Sequence, residues 1–203
     1  DYLFIEKFPY GYSRYSLPFG GWRFGGLMHG RAFSRPPQRG DVVVFKMPNR
    51  ASPYYMDDFI TRVIGVPGDR VQMISGTLFI NDRRVPKVRV GDYLEDVGGQ
   101  IHHVPQYRET LPGGKSYLVL DREADSELDT TRVFVVPPGH YFMMGDNRDN
   151  SDDSRDEVGF VPLENIEGRA ALIFFSSSGD APAWEFWHWP GAIRYNRLLR
   201  RID

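Results

Sequence analysis

Short apolar runs, separated by glycine and proline, dominate the hydrophobic pattern of this 203-residue chain. Runs of about four to eight apolar residues between turn residues are typical of β-strands. The predicted strands cover residues 41–47, 59–66, 71–74, 77–81, 140–144 and 170–175. A short helical pattern occurs only at residues 163–166 and 193–202. The pattern therefore predicts a mainly β fold.

One long segment, residues 85–131, departs from this pattern because it is polar and irregular, with Gly-Gly pairs at 98–99 and 113–114. We expect it to form a smaller β lobe inserted into a core made of residues 1–84 and 132–203. Residues 10–33 are rich in aromatic residues and glycine without a clear period. They predict a long surface loop or an extended flap.

Composition excludes several classes of protein. The net charge of −2 gives no indication of a nucleic-acid partner. The absence of cysteine excludes disulfides and thiolate metal sites. No run approaches the ~20 apolar residues of a membrane-spanning helix. Because the sequence starts at Asp1 inside an apolar, strand-like segment, we expect that it is a trimmed chain.

Aromatic residues are concentrated near both ends of the chain. Tryptophan favours the boundary between lipid headgroups and water, so these residues could contact a membrane surface. Alternatively, they could cover a small β core. The residues are Phe4, Phe8, Tyr10, Trp184, Phe186, Trp187 and Trp189.

The segment Gly145–Arg155, GDNRDNSDDSR, has the highest density of charged and short hydrogen-bonding side chains. Such a composition predicts a rigid, cross-linked loop. Calcium binding is disfavoured, because the spacing of the aspartates does not fit an EF-hand and two arginines neutralise them. Those aspartates are Asp146, Asp149, Asp152 and Asp153. His102, His103 and His140 are not expected to bind a metal, since adjacent strand residues point to opposite faces.

Three boxes occur in the order found in the signal peptidase I family: Arg39–Phe45 (RGDVVVF), Arg62–Asp69 (RVIGVPGD) and Gly145–Arg155. The opening DYLFIEKFPYG is similar to the segment that follows the family's nucleophile. One box alone is a weak signal, but three in order are specific. The chain thus resembles signal peptidase I, a membrane-bound serine protease that removes leader peptides. The resemblance implies a β-barrel or coiled antiparallel sheet with a smaller inserted lobe.

The resemblance implies a serine nucleophile and a neutral lysine as its general base. The serine belongs to a Ser-Met-x-Pro box expected roughly nine residues before Asp1, outside this chain. The lysine position is Thr61. An alcohol cannot be the base, because environments shift a pKa by only ~3–5 units. We expect Thr61 to be a satisfied strand residue. A threonine nucleophile is the alternative, but Asp58 and Arg62, its nearest titratable neighbours in sequence, provide no base.

The resemblance also implies supporting residues. Arg62 and Asp146 are expected to form a mostly buried ion pair, and Asp153 and Arg155 a second one. Ser151 matches the serine that orients the family's lysine. If the chain has no catalytic activity, the same residues would only stabilise the loop.

The implied substrate cleft binds an extended leader peptide as an added strand, with small pockets for Ala-sized side chains. The matching positions are Leu3, Val44, Asp58 and Ile60. Their pattern alone indicates ordinary core and edge packing. No cofactor is implied. The implied partners are signal peptides, a membrane lipid surface and a possible partner peptidase, on the outer face of the bacterial cytoplasmic membrane.

Two functions remain open from the sequence. The chain is part of a leader peptidase whose serine lies upstream, or it is a non-catalytic pseudopeptidase that binds leader peptides or a partner peptidase. The residue before Arg62 discriminates between them, and threonine favours the second. Autocleaving repressors share the Ser–Lys chemistry and a related β fold. They are disfavoured by the Gly145–Arg155 box and by the absence of a DNA-binding part.

Overall fold

A computed structural model describes the backbone of residues 2–6, 35–175 and 200–201, and the side chains of residues 35–170. Three predictions therefore lie outside the described residues: the loop or flap at 10–33, most of the helical pattern at 193–202, and the side chains of both aromatic groups. Residues 200–201 of that helical pattern form a short strand.

The described chain contains fourteen strands in antiparallel pairs and very little helix. The largest sheet has seven strands: β1 (Tyr2–Glu6), β2 (Val42–Lys46), β3 (Asp58–Gly65), β11 (His140–Met144), β12 (Val161–Pro162), β13 (Ile166–Phe175) and β14 (Arg200–Arg201). Their order is β1-β13-β2-β3-β11-β12, with β14 also paired to β13. The predicted mainly β, antiparallel fold is confirmed, although the described strands form no closed barrel.

Two smaller sheets complete the fold. A four-stranded sheet has the order β10-β4-β5-β6, and a three-stranded sheet the order β7-β8-β9. Their strands are β4 (Arg70–Ile74), β5 (Thr77–Ile80), β6 (Arg83–Arg84), β7 (Lys87–Val97), β8 (Gln100–Thr110), β9 (Ser116–Leu120) and β10 (Phe134–Val135). Within the described residues, a 3-10 turn covers Leu163–Asn165, where a short helical pattern was predicted.

The polar segment after residue 85 is more regular than the sequence predicts. Strands β7 and β8 have eleven residues each and join through Gly98 and Gly99. Both glycines have positive φ, 63° and 85°, which a tight two-residue hairpin requires. Much of this hairpin is exposed, so its polar composition reflects solvent contact and not the absence of structure.

Two hydrophobic clusters pack against opposite faces of β3. Val63 belongs to a cluster with Val43 and Phe45, whereas Ile64 belongs to a second one with Phe142. Adjacent strand residues point to opposite faces, which explains the division. The second cluster also contains Leu111, Tyr117 and Val119, so part of the segment 85–131 packs directly onto the core. The division into core and inserted lobe stays a prediction.

Candidate functional site

Thr61 lies in β3, opposite Val43 of β2, and is 7% exposed. Its hydroxyl is buried and has no hydrogen-bond partner among the described residues. The expectation that Thr61 is a hydrogen-bonded strand residue is therefore wrong for its side chain. Its backbone is paired with Val43 of β2. Strand pairing satisfies only backbone groups, and the neighbouring side chains Val43, Phe59 and Val63 are apolar. A buried hydroxyl without a partner reduces stability.

No described lysine is placed to act as a neutral base. Lys46 Nζ lies 2.7 Å from Asp58, Lys115 Nζ lies 3.4 Å from Asp41, and Lys87 contacts Asp121. Partial burial opposes the charge of Lys46, but the hydrogen bond and charge of Asp58 outweigh it and raise the Lys46 pKa. All three lysines thus contact a carboxylate instead of lying in the apolar surroundings that a neutral amine base requires.

Arg62 forms a bidentate ion pair with Asp146. Its Nε and Nη2 donate to the two carboxylate oxygens at 2.9 and 2.8 Å, and Nη1 donates to the Gly40 carbonyl at 2.9 Å. The guanidinium also lies 4.3 Å from the ring centre of Tyr117. Arg62 is buried, but the Asp146 side chain is 43% exposed. The expectation that both are mostly buried is wrong for Asp146, because it starts the loop that leaves the sheet after β11.

The first two sequence boxes are also joined to each other. Arg39 Nη2 donates to Asp69 at 2.6 Å, and the same carboxylate accepts the Val66 N–H at 2.7 Å. Gly40 donates its N–H to the Val63 carbonyl at 2.7 Å and has φ +86°. A side chain at Gly40 would collide with Lys115, since an added Cβ would lie 2.6 Å from the Lys115 Cδ.

The second predicted pair, Asp153 and Arg155, is almost completely buried. Arg155 Nε and Nη2 donate to Asp153 at 2.9 and 2.8 Å, and Nη2 also donates to the Arg148 carbonyl at 2.6 Å. Asp153 in turn accepts the Gly145 N–H at 3.0 Å. The charged pair therefore fastens the middle of the loop to its first residue.

Ser151 packs directly on Gly145. A Cβ added to Gly145 would lie 1.8 Å from Ser151 Oγ, so only glycine leaves room for this serine. Gly145 follows Met144, which is paired with Arg62. Gly145 and the serine packed on it thus follow directly after the pair formed by Met144 and Arg62, the residue next to Thr61 in sequence.

Sequence reasoning missed Glu109 and Tyr117, two buried residues of this network, and wrongly expected Arg148 to neutralise the aspartates of the loop. Arg148 Nη1 donates to Glu109 at 2.8 Å, and the Tyr117 hydroxyl donates to the other Glu109 oxygen at 2.8 Å. Burial raises the pKa of Tyr117. Burial alone would lower the pKa of Arg148, but Glu109 raises it overall. The third box contains Arg148, but nothing in the sequence links this arginine to Glu109.

The predicted substrate-binding residues are only partly brought together. Val44 and Ile60 are paired on β2 and β3, with Val44 buried and Ile60 43% exposed. Asp58 lies opposite Lys46 at the start of β3. By strand alternation, Ile60 points to the face opposite Thr61. Leu3 lies in β1 opposite Ile173, and its side chain is outside the described residues.

One edge of β3 is unpaired over its first half. Strand β11 pairs with Arg62, Val63 and Gly65, whereas β2 pairs with residues 58–62 on the other side. In the part of the chain that the structure describes, no strand covers residues 58–61 on the β11 side. This uncovered edge of β3 includes Thr61.

Calcium binding is disfavoured for the four aspartates of the 145–155 loop. The structure gives three of them separate partners. Asp146 and Asp153 are paired with arginines. Asp149 instead approaches Asp121 and Asp129, with carboxylate oxygens within 4.8 Å of one another. Lys87 contacts Asp121, and the Arg122 N–H donates to Asp149 at 2.5 Å, so this cluster already has internal partners. His102 and His103 occupy successive positions of β8, opposite Glu95 and Leu94.

The described helix is far too short to cross a membrane, and no longer one is found in the described residues. The fold and the network instead define a β domain in which three sequence boxes meet at Arg62 of β3, which donates to Gly40 of the first box and to Asp146 of the third. The family model for signal peptidase, peptidase S26, matches residues 1–175. The chain therefore belongs to the signal peptidase family.

Individual relatives agree with this assignment. The chain is similar to the signal peptidase I of Rickettsia typhi, with 44% identity over 87% of this chain and 66% of the relative, just under two thirds of its length. It is 38% identical to the signal peptidase I of Rickettsia canadensis, over 100% of this chain and 78% of the relative. A solved signal peptidase I from Enterococcus faecalis is 27% identical and covers 66% of this chain and 97% of that one, with a TM-score of 0.39. A score this low carries no argument about the fold.

Proposed function

We propose that this chain binds the N-terminal signal peptides of secreted preproteins, in keeping with the signal-peptide processing of its family. The observation that carries the proposal is the open edge of β3 at residues 58–61, which includes Thr61. An extended peptide binds such an edge as an added strand through main-chain hydrogen bonds. The exposed side chain of Ile60 offers apolar contact at the same edge.

We further propose that the chain does not cleave the bound peptide. Thr61 replaces the expected lysine, and Lys46, Lys87 and Lys115 all contact carboxylates. A serine hydroxyl needs an adjacent base to become a nucleophile. The second candidate function is that the full-length protein is itself a pseudopeptidase, which binds leader peptides or a partner peptidase. The replacement of the lysine by Thr61 favours this candidate. In either case we place the domain at the outer surface of the bacterial cytoplasmic membrane.

The test is a titration of the chain with a fluorescent leader peptide that has alanine in the positions expected to enter the small pockets. The matched probe is the same peptide with alternate backbone amides N-methylated, which removes strand pairing but keeps every side chain. We expect saturable binding of the first peptide and at least about tenfold weaker binding of the second. Equal binding of both peptides, or no binding of either, would contradict the proposal.

A pair of protein variants localises the binding. Ile60→Glu places a charge at the open edge, whereas Ile74→Glu places the same charge on β4 of another sheet. The two side chains are similarly exposed, 43% and 41%, so general effects on solubility should be equal. Only Ile60→Glu is expected to weaken peptide binding.

A further inference from the structure

The ion pair between Arg148 and Glu109 is buried almost completely, with side-chain exposures of 2% and 0%. It connects the loop of the third box with β8 of the three-stranded sheet. The Tyr117 hydroxyl, from β9, contacts both partners, at 2.8 Å from Glu109 and 3.1 Å from Arg148. Three side chains from the loop and two strands thus form one buried polar group, in which only Arg148 Nε lacks a hydrogen-bond partner.

A buried ion pair is not needed for stability alone. Removing two charges from water is costly, and well-packed apolar residues of similar volume are often as stable or more so. Such a pair does fix geometry, because both partners must keep their orientation to stay satisfied. The orientation of Arg148 in turn determines the position of other groups in the loop.

The backbone of Arg148 leads directly to the site. Its carbonyl accepts from Arg155 Nη2, Arg155 is paired with Asp153, and Asp153 accepts the Gly145 N–H. Gly145 is the residue on which Ser151 packs. Displacing Arg148 would therefore release the contacts that hold Gly145 and Ser151 in place.

The three-stranded sheet also contacts the site by a second route. The ring of Tyr117 lies under Arg62. The Leu120 N–H donates to the Asp146 carbonyl at 2.8 Å, and the Arg148 N–H donates to the Leu120 carbonyl at 2.9 Å. The end of β9 thus holds the first loop residues through the backbone.

We propose that Glu109 and Tyr117 are positioning residues, through which the three-stranded sheet holds the 145–155 loop in the geometry that peptide binding at the β3 edge requires. This deepens the proposed function and rests on it for its peptide-binding part. The two residues touch no bound peptide; they act through Arg148 and Arg62. The inserted segment is thereby a part of the site's support.

The test separates positioning from stability. In the triple variant Glu109→Leu, Arg148→Met and Tyr117→Phe, the polar group becomes apolar and the ring under Arg62 is kept. Glu109→Gln breaks the ion pair alone. Phe134→Leu, in β10 of the other small sheet, is the control for a general loss of packing. Melting temperature, amide hydrogen exchange at Gly145 and Ser154, and affinity for the leader peptide are measured on all three.

We expect the triple variant to melt within a few degrees of the native chain, since an apolar replacement removes no net stability. Its Gly145 and Ser154 amides should nevertheless exchange about tenfold faster, and the leader peptide should bind about tenfold more weakly. Phe134→Leu should change neither readout beyond its effect on melting.

Unchanged exchange at Gly145 and Ser154 in the triple variant would overturn the positioning role. If the triple variant does not fold, Glu109→Gln, measured well below its melting temperature, decides the same question. Failure of the native chain to bind any leader peptide would refute the proposed function. The exchange comparison would still decide whether Glu109 and Tyr117 position the loop.

Discussion

Residue 61 and the 145–155 loop both adjoin Arg62 but differ in how their polar groups are satisfied. The Thr61 hydroxyl is buried without a partner among the described residues. The loop network, by contrast, pairs three guanidinium groups (Arg62, Arg148 and Arg155) with three carboxylates (Asp146, Glu109 and Asp153). Each guanidinium group of the network therefore has a carboxylate partner, although Arg148 Nε and Arg155 Nη1 make no hydrogen bond among the described residues, whereas the Thr61 hydroxyl has no partner at all there.

The comparison indicates that the hydrogen-bond network of the loop does not depend on a lysine at position 61. None of the hydrogen bonds described for the loop involves residue 61, so the loop can form with threonine there. Stability and catalysis should consequently respond to different substitutions. Four predictions test this separation, starting with the largest effect.

Restoring the base should have the largest effect. In the full-length protein, we expect Thr61→Lys to raise the rate of preprotein cleavage by ~10²–10⁴-fold, the usual contribution of a general base. The apolar neighbours Val43, Phe59 and Val63 should lower the pKa of the new amine, as a base requires. Thr61→Met has a similar length without the amine and should stay inactive. Equally fast cleavage by the unaltered protein would show that another residue is the base.

Removing Arg62 should destabilise the fold strongly. Arg62→Ala removes the partner of Asp146, the donor to Gly40 and the group stacked on Tyr117. Hydrogen bonds to charged groups contribute about 1.5–3 kcal/mol, so losing them should lower the melting temperature by about 3–12 °C. Arg83→Ala, on the exposed strand β6, is the control and should have almost no effect. Equal melting temperatures for both variants would mean that the network is weakly coupled to folding.

Removing the unpartnered hydroxyl should stabilise the chain. Thr61→Val keeps the shape of the side chain, so the free energy of unfolding should rise by about 1–2 kcal/mol. Thr110→Val is the matched control, because its hydroxyl is bonded to Ser116 at 2.8 Å and its loss should give no stabilisation. Chemical denaturation measures both. A less stable Thr61→Val variant would indicate that the hydroxyl has a partner in solution.

The smallest effect concerns the ion pair of Lys46 and Asp58. Asp58→Asn should cost less than about 1 kcal/mol at neutral pH, since the pair is partly exposed. Because the folded-state pKa of Lys46 is raised above its ordinary value of 10.5, its contribution is fully present below that pH and is lost as the pH rises further. Asp58→Asn should therefore flatten the alkaline loss of stability. An unchanged alkaline profile would show that Asp58 does not control Lys46.

Much of the fold was predictable because buried strands leave a local pattern. The strand at 140–144 was predicted with the bounds observed, and the turn at Ser75 and Gly76 joins β4 and β5 as expected. The β7–β8 hairpin was not predicted as regular structure. Its stability depends on backbone pairing between exposed strands, which leaves no hydrophobic alternation to read.

Only those site residues that lie in the three sequence boxes could be predicted from the sequence. The pairing partners of Arg62 and Arg155 followed from the family resemblance. Glu109 did not, because its partner Arg148 lies 39 positions away and neither residue shows locally that it is buried. The unsatisfied state of the Thr61 hydroxyl could not be predicted either, since it depends on which side chains surround it in three dimensions.

Taken together, residue 61 and the β3 edge lead us to propose that this chain binds a leader peptide but does not cut it. Incubating the chain with a preprotein in detergent, at increasing chain concentration, tests this directly when binding and product mass are measured on the same samples. We predict saturable binding with the preprotein intact, because residue 61 provides no base. Dose-dependent cleavage at the leader junction would contradict the claim.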